Sequence, residues 1–450
     1  MTPFGDRAVL FPLPPDAARG ALFSRLRALP GIEDVVLAET TGLATWTGAP
    51  PTVAIAQALA APTTAAEATT RLHRVPVVYD GEDLAEVAGS IGKSTADVVA
   101  MHAGAEHRVA LVGFAPGFAY LRGLPAVLSL PRRAPRPRVP AGSVAIAAGY
   151  SGIYPFASPG GWHLLGRTSF ATFANERATF GLDDRVVFER VDELADPPTA
   201  IASPVPAGPH LELTRAQGVA YLVDGGRPGH MHEGIAPGGP LVRAGLAGAN
   251  ARAGNASGTC GLEVYGSVEV TARGGTIAVD GIELADGESH RVASGAARVA
   301  YLAVRGGIAG RGFLRGVDTP LRRGARLAIG TAERDDAPAP ACPEPGPIAL
   351  LPGPDGDVLA HLGDLRVGAA SDRTGVRLEG YAGPLAKAPA DRPSIPMRIG
   401  AMELTPSGPI VLGPDHPTTG GYPVVGLVPS HALDAFFARP VGARVSFRAG

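Results

Sequence analysis

From Val109 onward, glycine and proline interrupt the sequence so often that neither a long helix nor a regular βαβ alternation has room to form. The chain carries 61 glycines and 44 prolines among 450 residues. Each proline removes a backbone donor, and each glycine weakens a helix interior. Between the interruptions stand short runs rich in β-branched and apolar residues: RVALVGFA, GSVAIAAGY, HLLGRTSF and DRVVFERV, then LEVYGSVEVTA, ARVAYLAVRGG and AMELTPSGPIVLG. Short strands at this spacing predict compact barrels with few helices. The N-terminal stretch reads differently. AVLFPL, IEDVVLAET and LATWTG have strand character, whereas DAARGALFSRLRAL and VAIAQALAAPTTAAEATT have helical spacing, the second broken near Pro62. Proline clusters at 196–210 and 333–346 read as linkers. They separate an α+β unit over 1–76 and a barrel over 77–195 from a β domain over 211–332 and a second barrel over 347–450. The fold class expected is mainly β with an α+β N-terminal domain.

Composition narrows the function classes. The formal charge of −2 lacks the basic excess of a nucleic-acid protein. No uninterrupted apolar run reaches membrane-spanning length, and Asp6 and Arg7 break any secretory signal core. A cytoplasmic protein is expected. Cys260 and Cys342 are too few for a zinc site or a disulfide framework, and read as incidental reduced thiols. Of 40 basic residues only Lys93 and Lys387 are lysines. GSIGKST at 89–95 fails as a phosphate loop because its first glycine would fall at Val87; Ser94 or Thr95 reads instead as the cap of the helix ADVVAMHAG. Anions must therefore be met by arginine, backbone N–H groups and helix N-termini.

The densest block of binding-type residues runs from GFAPGFAYLRGLP (113–125) through PRRAPRPRVPAGSVAIA (131–147) to SGIYPFASPGGWHLLGRT (151–168). Phe114 and Tyr120 sit among turn-forming residues, and Arg132 and Arg133 open a proline-stiffened loop. The plain reading is a solvated basic loop beside barrel packing. The sharper one is an anion pocket: Arg132, Arg133, Arg138 and Arg167 around a rim where Gly160 and Gly161 let a ligand approach and Trp162 forms an apolar wall.

These motifs, with GDRAVL (5–10), GIYP, SPGGW and LGRT, resemble the B-type subunit of 5-oxoprolinase. VDGGRPGHMHEGIAPGG, GANARAGN, GLEVYG, AYLAVRGGI, SDRTGVRLEG and PTTGGYPVVG are similar, in order, to the C-type subunit of the same enzyme. The resemblance places the chain in the carboxyltransferase-domain group, with kinase-inhibitor and allophanate-hydrolase-type relatives. It implies cyclophilin-like barrels, a fused B/C component, and ATP-dependent opening of 5-oxo-L-proline to L-glutamate with a separate A-type subunit. ATP, with Mg, is the cofactor implied, with the choice of binding subunit left open and the A-type partner favoured; the resemblance leaves self-association open and implies neither membrane nor nucleic-acid partners. Two alternatives stay beside it: a regulator of a histidine kinase, and a carboxyltransferase component receiving carboxybiotin from another protein.

Residue by residue, the resemblance assigns substrate contacts to Phe114, Tyr120, Arg132, Arg133, Tyr154, Gly160, Gly161, Trp162, Arg167 and Thr168 in the B half. In the C half it assigns them to Arg227, Asn250, Arg377, Thr418, Thr419 and Tyr422. His163 is a candidate base because imidazole titrates near neutrality, against the equal reading of a barrel histidine satisfied by backbone. Asp224, Glu263 and Asp415 are the carboxylate candidates, each equally open to pairing with a local arginine, as RLEG suggests for Arg377 and Glu379. His230, His232 and Glu233 make too weak a pattern for a metal site, so no metal is expected. Tyr150 stands where the B family often has Gln. The C half departs from its family at Val223, Leu241, Val242, Arg305 and Glu403, and the segment GIAGRGFLRGVDTP lacks the family's Gly-Ser-Arg run.

Overall fold

The computed structural model describes residues 1–14, 17–63, 70–195, 206–335, 338, 341, 344, 346–356, 361–385 and 393–450. Cys342, Lys387 and much of both expected linkers lie outside the described residues. The N-terminal unit pairs Thr2–Pro3, Ala8–Pro12, Thr41–Trp46 and Ile32–Leu37 into one antiparallel sheet, backed by the helices Arg19–Arg27 and Thr52–Ala60. Leu22, Leu26, Ile55 and Trp46 fill the space between the layers.

The first barrel has seven strands, in the order His163–Arg167, Ser143–Ala147, Tyr150–Ile153, Ala119–Arg122, Glu106–Val112, Arg185–Arg190 and Leu72–Val77. A bridge between Val78 and Arg167 brings the two outer strands together, so the sheet closes. Closure removes the exposed edges that an open sheet of this size would leave. Val75, Val109, Leu121, Val144, Ile153 and Phe188 fill the interior. His102 is fully buried against the Phe188 ring; its Nδ1 lies 2.8 Å from the Tyr79 hydroxyl, and its Nε2 lies 2.6 Å from Ser151 Oγ. Burial pushes that imidazole well down, so it stays neutral. Outside the barrel lie the helices Leu84–Ser90 and Thr95–Ala103. The expected cap is present: Ser94 Oγ accepts from the Asp97 N–H at 3.1 Å, and the Asp97 carboxylate accepts from the Ser94 N–H at 3.0 Å.

Beyond residue 206, two long strands, His210–Val223 and Gly261–Arg273, pair antiparallel and carry three shorter ones. The spacing of turns suggested mostly short strands here. Gly218 and Gly266 face each other in the register and let both strands run through. The helix Arg243–Ala253 was not anticipated, because its two glycines mask its period. Close packing explains one of them: a side chain at Gly245 would overlap the Tyr301 ring. The last barrel orders its strands Arg444–Val445, Leu365–Val367, Gly375–Glu379, Gly408–Leu412, Ala401–Thr405, Val424–Leu427, Ile348–Pro352 and Phe447–Ala449. Its two outer strands are neighbouring pieces of one run, so this sheet too nearly closes.

Cores cross the sequence boundaries. Phe4, Leu10 and Leu43 pack with Met231, Met397, Leu412 and Leu427. Leu241, Leu246 and Tyr301 pack with Leu350, Val376 and Phe436. Among the described residues no helix is long and apolar enough to cross a membrane.

Candidate functional site

The arginine loop at 131–138 is held from below by one carboxylate. Asp83, just before the helix Leu84–Ser90, is 3% exposed. Its Oδ1 accepts from both Arg133 Nη1 and Arg136 Nη2, the latter at 2.5 Å, and its Oδ2 accepts from the Leu164 N–H at 2.7 Å. Glu86 adds a bond to Arg133 at 3.0 Å, and Glu82 one to Arg136 at 2.8 Å. Arg132, just before Arg133 in sequence, is exposed and has no carboxylate partner among the described residues. It stands against the Tyr120 hydroxyl. Burial pushes the Tyr120 phenol up while Arg132 pulls the other way, and burial pushes Tyr154 up to about 12.

Behind this loop lies an aromatic block. The Phe118 ring is centred 5.1–5.5 Å from those of Phe114, Tyr120, Tyr154 and Trp162, all edge-on, as ring quadrupoles favour. His163 lies next to Trp162. Its Nε2–H donates to the Pro131 carbonyl at 3.0 Å, which fixes the tautomer, and Nδ1 is left buried without a partner. Glu86, Val87, Ser90, Leu130, Pro131, Arg132, Arg133 and His163 line a cleft of about 270 Å³.

The glycines act differently from the expected ligand rim. A side chain at Gly160 would overlap the Tyr154 hydroxyl, and one at Gly161 the Arg133 carbonyl. Both permit close packing within the protein. Arg167 and Thr168 are not brought to the cleft: Arg167 Nε pairs with Asp80 at 2.8 Å, with its side chain 57% exposed, and the Thr168 hydroxyl accepts from the Phe170 N–H.

In the C half the candidate carboxylates are engaged. Glu263, fully buried, accepts from the Leu241 N–H at 2.6 Å, from the Tyr265 and Tyr301 hydroxyls and from Arg373. Asp415 accepts from Arg373 Nε at 2.6 Å; burial raises its carboxyl above the ordinary range although Arg373 opposes this. Arg373 also donates to the Gly239 carbonyl and lies over the rings of Tyr221 and Phe313. Asp224 accepts from the Gly226 and Gly312 N–H groups, and Arg227 returns bonds to the carbonyls of Gly312 and Phe313. Asn250 bonds the Ser257 and Thr259 carbonyls and accepts from Asn255. Arg377 and Glu379 are both exposed, and Tyr422 is half-buried.

The halves meet at GFAPG. Phe114 holds φ at 70°, a conformation that bulky residues rarely adopt, and is 38% exposed. Gly117 donates to the Glu233 carbonyl at 2.9 Å, and Gly113 packs closely on Thr419. The Thr418 hydroxyl is buried there without a partner. The turn at 230–233 is a clamp between the halves. Glu233 accepts from Arg177 and from the Ala178 N–H, while Asp34 bonds His232 and the Met231 N–H. Among the described residues no group of three or more His, Cys, Asp or Glu side chains converges as a metal site would require.

The barrels, the order of motifs and the continuous interface define a class. The family model for the carboxyltransferase domain, subdomain C and D, matches residues 1–182, and that for subdomain A and B matches residues 288–449. The chain belongs to this carboxyltransferase-domain family, as a fusion of the two parts. The crystal structure of TTHA0988 superposes with a TM-score of 0.78 at 30% identity, covering 98% of this chain and 100% of that one. The B-type subunit of 5-oxoprolinase from Escherichia coli O157:H7 is 50% identical over 113 residues, which is 24% of this chain and 52% of the relative. Its namesake from Bacillus subtilis is 41% identical over 134 residues, 28% of this chain and 56% of the relative. The chain thus spans about half the length of these relatives.

Proposed function

We propose that this chain is the fused B/C component of a 5-oxoprolinase-type enzyme that opens 5-oxo-L-proline to L-glutamate together with an A-type subunit. The observation that carries the reading is Arg132, exposed, without a carboxylate partner among the described residues, and lining a cleft of about 270 Å³ together with His163, whose Nδ1 is unpartnered. Arg132 meets the substrate carboxylate, and Leu130, Pro131 and Val87 line the ring. Opening the lactam adds water across the C–N bond. His163, whose Nδ1 carries an unshared lone pair, takes the proton of that water and gives it to the ring nitrogen as the C–N bond breaks.

A lactam is a weak electrophile, and ATP supplies its activation. The cleft does not fit a triphosphate, because Arg133 and Arg136 are spent on Asp83, Glu82 and Glu86. No step through the nucleotide is therefore assigned to this chain. The test is co-expression with an adjacent A-type subunit and measurement of ATP-dependent glutamate release. Arg132→Ala should raise KM roughly 10- to 100-fold, the worth of a charge-assisted hydrogen bond of about 1.5–3 kcal/mol. A stable complex that releases no glutamate overturns the reading. The family description favours one second reading, carboxyl transfer; activity that depends on a biotin-carrying protein would support it.

A further inference from the structure

We infer that Asp83 sets the charge class of ligand the arginine cleft takes, holding Arg133 and Arg136 out of use so that the cleft accepts a singly charged anion and rejects polyphosphates. This rests on the cleft being a ligand site and not on the lactam reaction.

Four arginines fall within the loop, at 132, 133, 136 and 138, so its composition suggests a polyanion site. The geometry subtracts most of that charge. One carboxylate oxygen of Asp83 serves both Arg133 and Arg136. Glu86 and Glu82 take further bonds from the same two residues. Neither Arg136 nor the exposed Arg138, both on the strand Arg136–Val139, lines the cleft itself, whereas Arg133 does. Only Arg132 faces a ligand with its donors unclaimed by a carboxylate. A second charge on the ligand would approach the carboxylates of Glu86 and Asp83, where like charges repel.

Asp83 is suited to this control because its position is overdetermined. Its own N–H donates to the Leu164 carbonyl at 3.2 Å, and its carboxylate accepts from the Leu164 N–H. Leu164 directly follows His163, so one residue ties the arginine loop to the strand that carries the histidine. Neither the loop nor that strand moves without breaking bonds to Asp83.

The experiment is calorimetric titration of the full chain with inorganic pyrophosphate at low and moderate salt. Asp83→Asn keeps an acceptor for the Leu164 N–H while removing the charge that holds the two arginines. It should bind pyrophosphate about tenfold more tightly than the native chain, with the gain shrinking as salt rises. Adding Arg133→Ala and Arg136→Ala should erase the gain. A Glu82→Gln/Glu86→Gln variant alters only exposed carboxylates and should gain about threefold; it carries the test if Asp83→Asn does not fold. Unchanged pyrophosphate affinity in a folded variant, or a gain that survives loss of both arginines, overturns the proposal. The readout is binding alone, so a failure of glutamate release with the A-type subunit leaves this result standing, and the reverse.

Discussion

The arginine cleft of the first barrel and the Arg373 centre of the C half are built from the same side chain with opposite accounting. Arg373 spends its donors on Glu263, Asp415 and the Gly239 carbonyl, lies over the rings of Tyr221 and Phe313 and is almost wholly buried. Arg132 lies at the surface and forms no ion pair with a carboxylate among the described residues. A buried guanidinium satisfied on every side holds a fold together, whereas an exposed one with donors to spare is available to a ligand. The difference teaches that charge in a sequence says little until its partners are counted.

The comparison breaks most visibly at Arg373. Arg373→Ala leaves Glu263 and Asp415 buried and uncompensated, a cost of about 3–5 kcal/mol that should appear as a large fall in melting temperature. Lost ligand binding with an unchanged melting temperature would instead move Arg373 to the ligand side of the contrast.

A smaller effect belongs to the clamp between the halves. Burial works to raise the Glu233 carboxyl, but its bonds from Arg177, the Ala178 N–H and His230 outweigh this and hold it below its ordinary 4.5. A folded-state value below the unfolded one stabilises above about pH 4.5 and is lost as pH falls through the folded value. Glu233→Gln should therefore cost about 2 kcal/mol at neutral pH, and the two melting curves should converge on acidification. A gap that persists in acid would show that shape, not charge, makes the clamp.

The smallest effect is expected at Arg167. Its exposed pair with Asp80 is worth under about 1 kcal/mol, so Arg167→Ala should leave melting and turnover nearly unchanged. A large loss of turnover would extend the ligand site along the strand His163–Arg167 and weaken the contrast with Arg132.

What was legible in the sequence was local or came as whole motifs. The Ser94 cap needed only residues three apart, and the strands of both barrels stood between their turn residues. The resemblance carried by GFAPGF, PRR and SPGGW led to the arginine loop and Trp162. The partners that decide each role lay far off in the chain. Asp83 stands 50 and 53 residues from the two arginines it binds; it occupies the position before the helix Leu84–Ser90 but makes no side-chain cap bond and serves them instead. A local arginine is the partner that the sequence suggests for Glu263 and Asp415, but Arg373 stands 110 and 42 residues from them. No spacing rule links such positions. Gly160 and Gly161 are ambiguous for a related reason, since a glycine leaves room equally for a ligand or for a close neighbour such as the Tyr154 hydroxyl or the Arg133 carbonyl.

One feature of the core bears on how the molecule is made. Phe4, Leu10 and Leu43 are covered by Met397, Leu412 and Leu427, residues separated from them by most of the chain. During synthesis the first sheet emerges with one apolar face bare, and its cover follows some 350 residues or more behind. Contacts of such separation form slowly, and the uncovered face is an aggregation hazard while it waits. Yield from the cell would then hinge on how long that early face is shielded, independently of how stable the finished protein is.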